Sequence, residues 1–239
     1  MENKNIVEVN DLIKDFPIAN RSFRALKGIT INIKAGEFTG LVGPSGSGKT
    51  TLLNIIGGLD SPTEGSVSVL GAPLKGKSNK ELANLRKTGI GFIFQGYNLL
   101  PVYTVYENVE FPLLLLDMDS ENRDRLVREA IEWVDLPDKI KSRPAQLSGG
   151  ESQRVAIARS IVKRPPMVIA DEPTANLDAK NSHRIMKILL KLNKELGTTF
   201  IFATHDEKVM GYLSRILNLV DGKIESDDRI ESPEFVENN

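Results

Sequence analysis

The sequence predicts an α/β fold, a mostly parallel sheet with helices on both faces and a helical insert. Three observations predict it. Apolar strands alternate with amphipathic helices over the second half of the chain. A glycine-rich loop joins one apolar strand directly to a helix, and the stretch from Gln95 to Ile161 is helical where the alternation would place strands.

The elements follow in order. Ile6-Val7-Glu8-Val9 is a short strand leading to a polar turn around Pro17 to Ser22, and Ile29 to Ile33 alternates with period two. After a turn at Lys34 to Glu37, Phe38 to Val42 is an apolar strand. The helix behind the glycine loop runs from Thr50 to Ile56 and stops at Gly57-Gly58. Val67 to Leu70 and Ile90 to Phe94 read as further strands. Asp119-Ser120 caps a helix with Val127, Ala130, Ile131 and Val134 on one face, closed by Pro137. Another helix opens at Ser148 and carries Val155, Ala158, Ile161 and Val162 as far as Pro165-Pro166.

Met167 to Ala170 is a buried strand, followed by a helix with Ile185, Ile188, Leu189, Leu192 and Leu196 at helical spacing and Gly197 as its C-terminal cap. Thr199 to Ala203 and Ile216 to Val220 complete the strands, and Asp221-Gly222 makes a hairpin turn. From Glu225 to Asn239 the chain is acidic and patternless, which predicts a mobile tail.

The chain has 239 residues, with 31 Lys and Arg against 32 Asp and Glu for a net charge of −1. That balance argues against a general nucleic-acid binder, and no nucleic acid is expected as a partner. The absence of Cys excludes disulfides and cysteine zinc clusters. The first residues lack the apolar centre of a signal peptide. The densest apolar run, Val109 to Leu116, is broken by Glu110 and Pro112, so the sequence predicts no membrane span.

Gly43-Pro44-Ser45-Gly46-Ser47-Gly48-Lys49-Thr50 fits GxxxxGK[ST] between a strand and a helix. Its glycines let backbone N–H groups converge on phosphate oxygens, and the helix N-terminus adds partial positive charge. Lys49 is placed to reach the β- and γ-phosphates and the Thr50 hydroxyl to ligate Mg2+. Asp171-Glu172 ends the strand from Met167. Adjacent carboxylates at an apolar strand end repel unless a cation or proton relieves them. Beside a phosphate loop, Asp171 reads as a Mg2+ ligand and Glu172 as the base for an attacking water. Leu147-Ser148-Gly149-Gly150-Glu151 contains an S-x-x-E capping box, yet capping needs no glycine pair. Bare N–H groups at Gly149 and Gly150 make a second anion site, which suggests two copies assembled head to tail around shared nucleotides.

With these residues the sequence resembles the ATP-binding subunits of ABC transporters, from about Ile6 to Ile224. Gly43 to Thr51 is similar to the Walker A motif, Met167 to Glu172 to Walker B, and LSGGE to the signature. Gln95 matches the Q-loop glutamine, Asn176-Leu177-Asp178 the D-loop and His205 the switch histidine, all in family order. The resemblance implies a P-loop NTPase: a single ABC-type nucleotide-binding domain over 1–239, with an N-terminal antiparallel β subdomain and an inserted helical subdomain at about 96–162.

It also implies the roles. ATP and Mg2+ are the cofactors. Gly43, Pro44, Ser45, Gly46, Ser47, Gly48, Lys49, Thr50 and Thr51 would hold the phosphates. Thr50, Gln95 and Asp171 would hold the metal, and Glu172, His205, Gln95 and Lys49 would carry catalysis. Ser148, Gly149, Gly150 and Asp178 would meet the nucleotide bound by a second copy. Phe16 would stack on adenine, or else is plain core packing. Asp178 also fits a helix cap.

The run from Phe92 to Leu100, followed by Thr104 to Val109, resembles the subgroup serving lipoprotein-releasing and macrolide-export systems. The resemblance therefore implies an ATPase that dimerises around two ATP-Mg and drives an integral membrane permease through its helical subdomain. It would export or extract a lipoprotein or another amphiphile, with this subunit peripheral on the cytoplasmic face of the inner membrane. Tyr97, Leu99, Leu100 and Tyr103 would either meet that permease or fill the subdomain core. The alternative is a soluble ABC ATPase in cofactor assembly or another non-transport role, which the transporter-like segment from Gln95 to Val109 fits less well.

Overall fold

The computed structural model describes residues 4–18 and 21–231. Two sheets lie either side of a short helix. In the first, β1 (Asn5–Ile18) and β2 (Arg21–Lys34) form a long antiparallel hairpin, and β4 (Glu64–Val69) and β5 (Ala72–Pro73) extend it in the order β2-β1-β4-β5. The expected turn from Pro17 to Ser22 is narrower than its composition suggested, because Pro17 pairs with Ser22 and Ile18 with Arg21.

The second sheet contains β3 (Phe38–Val42), β6 (Ile90–Ile93), β7 (Met167–Asp171), β8 (Thr199–Thr204), β9 (Arg215–Val220) and β10 (Lys223–Arg229). Its order is β10-β9-β3-β8-β7-β6, and every pairing is parallel except β10 with β9. The helices are α1 (Lys49–Ile56), α2 (Asn79–Gly89), α3 (Val105–Glu110), α4 (Ser120–Trp133), α5 (Gly149–Ile161), α6 (Ala179–Leu196) and α7 (Glu207–Met210).

Period-two alternation splits the buried strands between two apolar cores. Phe38, Val42, Val168, Ala170, Phe200 and Phe202 face the core shared with α3 to α6. Leu41, Met167, Ile169, Ile201 and Ala203 face the core shared with α1 and the antiparallel sheet. Strands of this kind, buried on both faces, explain why their sequences read as continuous apolar runs. The consequence for function is positional. β3, β6, β7 and β8 run side by side and end at one level, with Val42 opposite Thr204, Asp171 opposite Ala203 and Ile93 opposite Ala170. Ligands of open α/β sheets bind beyond the carboxyl ends of such strands.

The chain between β6 and β7 is helical as expected. Asp119 and Ser148 cap α4 and α5, and Gly197 ends α6 in the left-handed region at φ 66. Leu99 packs against the helical core, whereas Tyr103 is exposed. The acidic segment from Glu225 departs from expectation. Residues 225–229 belong to β10, because Arg215, nearly buried, holds both Asp227 oxygens at 2.7 Å and Glu37 at 2.8 Å. Residues 232–239 of the expected tail lie outside the described residues. Among the described residues no helix is long and apolar enough to cross a membrane.

Candidate functional site

The loop from Gly43 to Gly48 leaves β3 and enters α1 with no side chain capping the helix, so the first turn keeps its N–H groups for an external acceptor. A Cβ at Gly43 would lie 2.0 Å from the Leu219 carbonyl oxygen, so only glycine lets the loop pass that close to β9. Lys49 is buried and folds back over the loop, donating from Nζ to the carbonyls of Gly43 at 2.6 Å and Pro44 at 3.0 Å. The Ser47 hydroxyl is buried and has no partner among the described residues. Ser47 is tied from the other side, where its carbonyl accepts from the Gly222 N–H at 3.0 Å. An aimed lysine, an unfilled hydroxyl and free helix N–H groups form a cradle whose donors match phosphate oxygens.

At the end of β7 the Thr50 hydroxyl lies 3.2 and 3.1 Å from the two Asp171 oxygens. Burial raises the Asp171 pKa, the Thr50 hydroxyl lowers it, and the charge of Glu172 raises it again. A desolvated carboxylate, a hydroxyl and a second carboxylate in sequence make a hard oxygen donor set, which fits Mg2+. Glu172 sits in the left-handed region at φ 47, with its N–H donating to the Ala203 carbonyl at 2.9 Å. Such a backbone costs about 1–3 kcal/mol and persists at sites where geometry matters more than stability. The strain turns the Glu172 carboxylate to His205, whose Nδ1 is 2.7 Å from Oε1. His205 follows β8 and is exposed.

Gln95 follows β6 with an exposed side chain, and its carbonyl accepts from Asn176 Nδ2 at 3.0 Å. The glycine segment behaves as its capping box requires: Ser148 Oγ accepts from the Glu151 N–H, and Glu151 Oε2 accepts from the Ser148 N–H. Ser148 and Gly149 are exposed and Gly150 is buried. A Cβ on Gly150 would lie 2.7 Å from Asn181 Oδ1, so this glycine lets α5 approach the start of α6. Asp178 caps α6 through the Asn181 N–H at 2.8 Å and is itself exposed.

The structure thus brings Lys49, Thr50, Asp171, Glu172 and His205 together at the carboxyl ends of β3, β7 and β8. It leaves Ser148, Gly149 and Asp178 facing outward on the same chain. Phe16 belongs to neither apolar core. It pairs with Phe23 across the hairpin and takes the Lys14 ammonium over its ring at 4.9 Å. Sequence reasoning placed Asn176 in the D-loop and Gly222 in a hairpin turn, but not the contacts by which they fasten Gln95 and the phosphate loop through backbone groups. No motif signals a backbone contact between distant segments.

A family model described as ABC transporter matches residues 26–175. The chain is 44% identical over 212 residues to the lipoprotein-releasing system ATP-binding protein LolD of Blochmanniella floridana, covering 86% of this chain and 90% of that one. It is 40% identical to the macrolide export ATP-binding/permease protein MacB of Rhodopirellula baltica, with 94% of this chain spanning 33% of that longer protein. Among solved structures, the ATP-binding cassette MJ0796 of Methanocaldococcus jannaschii, a dimer in a post-hydrolysis state with ADP and Pi, superposes with a TM-score of 0.86. That pair shares 42% identity, over 93% of this chain and 98% of that one.

Proposed function

The chain belongs to the ABC transporter family, and from that premise we propose that it powers a separate membrane permease that exports or extracts a lipoprotein or another amphiphile. As a member of the family it is an ATPase that uses ATP and Mg2+ and works as a dimer. The observation that carries the ATPase reading is the convergence of Lys49, Thr50, Asp171, Glu172 and His205 beyond the carboxyl ends of β3, β7 and β8.

In this reading the loop from Gly43 to Thr51 binds the phosphates through backbone N–H groups. Lys49 leaves the Gly43 and Pro44 carbonyls for the β- and γ-phosphate oxygens. Thr50, Asp171 and Gln95 would hold Mg2+. When bound, that ion offsets the charge that builds up on the phosphate oxygens during transfer. Glu172 accepts a proton from the attacking water as its oxygen bonds to the γ-phosphorus and the bond to ADP breaks. His205 holds the Glu172 carboxylate at 2.7 Å and turns to the γ-phosphate when nucleotide enters. Ser148, Gly149, Gly150 and Asp178 complete the partner copy's site, which accounts for Ser148, Gly149 and Asp178 being exposed. Phe16, outside both cores, offers its ring to adenine.

The permease reading rests on a groove of about 430 Å³ between α2, α5 and the segment after α3. Its walls include Phe92, Phe94, Phe111, Pro112 and Leu115. Phe111 and Leu115 are exposed, as are Leu114, Val102 and Tyr103 nearby in sequence. Apolar surface of this kind marks an interface. The similarity to LolD and MacB supports an amphiphilic cargo and a place on the cytoplasmic face of the inner membrane.

Phosphate release tests the ATPase reading. With Mg2+ present, turnover per chain rises with protein concentration, because each site needs two copies, and Lys49→Ala abolishes it. Turnover that is independent of concentration and survives Lys49→Ala would overturn the reading.

A further inference from the structure

Gln95 is followed by two residues with left-handed backbones, Tyr97 at φ 59 and Asn98 at φ 50. Neither is glycine, and two in succession are held only where the surroundings over-determine them. What holds them comes from a different part of the chain. Arg159, near the end of α5, donates from Nη2 to the Tyr97 carbonyl at 2.7 Å and from Nη1 to the Asn98 carbonyl at 2.6 Å. Its fixed planar fork matches two adjacent carbonyls in a way that a lysine ammonium cannot. Burial lowers the Arg159 pKa, so the guanidinium has given up water for these two bonds. On the other side, Asn176 ties the Gln95 carbonyl to the loop after β7. Gln95 is therefore clamped between α5, the helix that begins with the glycine pair, and the strand end that carries Asp171 and Glu172.

We propose that Arg159 is a positioning residue for Gln95: its two bonds fix the strained pair at 97–98 and so set where the Gln95 side chain projects toward the nucleotide. Arg159 and Asn98 also line the apolar groove beside Phe94. A segment seated in that groove meets the lock directly, and loosening or tightening it moves Gln95. The proposal rests on the reading of Gln95 as a nucleotide and metal contact.

The test is Arg159→Lys in the full chain, which keeps the charge and loses the fork. Three quantities are measured: amide hydrogen exchange, the ATP dissociation constant and kcat. The expected result is about tenfold faster exchange at residues 97–98, with exchange along the rest of α5 unchanged. ATP affinity stays within about twofold because the phosphate loop is untouched, while kcat falls about tenfold or more. Unchanged exchange at 97–98, or faster exchange with an unchanged kcat, overturns the proposal. So does a common shift of affinity, kcat and exchange throughout α5, the mark of a merely structural arginine. Exchange needs no turnover. A wild-type chain that failed to hydrolyse ATP would sink the ATPase reading, and the lock would then be judged on exchange alone.

Discussion

Asp171 carries an electrostatic cost that a bound Mg2+ would relieve. Burial and the neighbouring Glu172 raise its pKa, only partly offset by the Thr50 hydroxyl. Between the ordinary carboxylate value and the raised one, the folded chain binds more protons than the unfolded chain. Stability of the nucleotide-free protein therefore falls as pH rises through that interval, and the penalty is constant above it. Removing the charge removes the penalty. Asp171→Asn is expected to raise the nucleotide-free melting midpoint at neutral pH by roughly 1–3 °C, while Mg2+-dependent turnover is lost. A lowered midpoint in calorimetry would show that the carboxylate is stabilising rather than poised. That Asp171 and Glu172 end a buried strand was legible in the sequence. The 2.7 Å contact between Glu172 and His205 was not, since it depends on a left-handed backbone at Glu172 that no local signal announces.

At the scale of elements, α5 shows how one helix start serves folding and binding together. Ser148 is a cap by geometry, so its loss costs about 1 kcal/mol whatever else it does. Aspartate caps as well as serine but adds a negative charge where a partner's γ-phosphate would sit. Ser148→Asp is therefore expected to melt within about 2 °C of wild type while turnover falls about 100-fold or more. Equal turnover in the two proteins would confine Ser148 to capping.

Legibility divides along the same line. Helices with internal signals were read correctly, α4 from Asp119 and its apolar face, α6 from its spacing and Gly197. α2 was overlooked although Ser78 and Glu81 form a full capping box ahead of Leu82 and Leu85. The strand beyond Ile224, residues 225–229, was unreadable for a different reason. Its pairing depends on Arg215 bridging Asp227 and Glu37, and Glu37 precedes β3, far away in sequence. Charged residues in that strand look like a solvated tail until the arginine is placed.

At the scale of the whole molecule, four parallel strands of one sheet present their carboxyl ends at a common level, and on the proposed reading each delivers one part of the chemistry. The sequence carried this much because each of these strand ends is followed within two residues by a proposed site residue. Contacts made between those segments, through Arg159, Asn176 and Gly222, emerge only in three dimensions. Ser148 and Gly149 face outward, and on the proposed reading a single chain holds two incomplete sites that two chains complete. Glu172→Gln isolates that claim, because it keeps the side chain's shape and removes the base. Sedimentation of Glu172→Gln with ATP and Mg2+ should give a stable dimer holding two ATP per pair, with turnover reduced at least about 100-fold. A monomer at saturating ATP, or a dimer that hydrolyses ATP at the wild-type rate, would contradict the account.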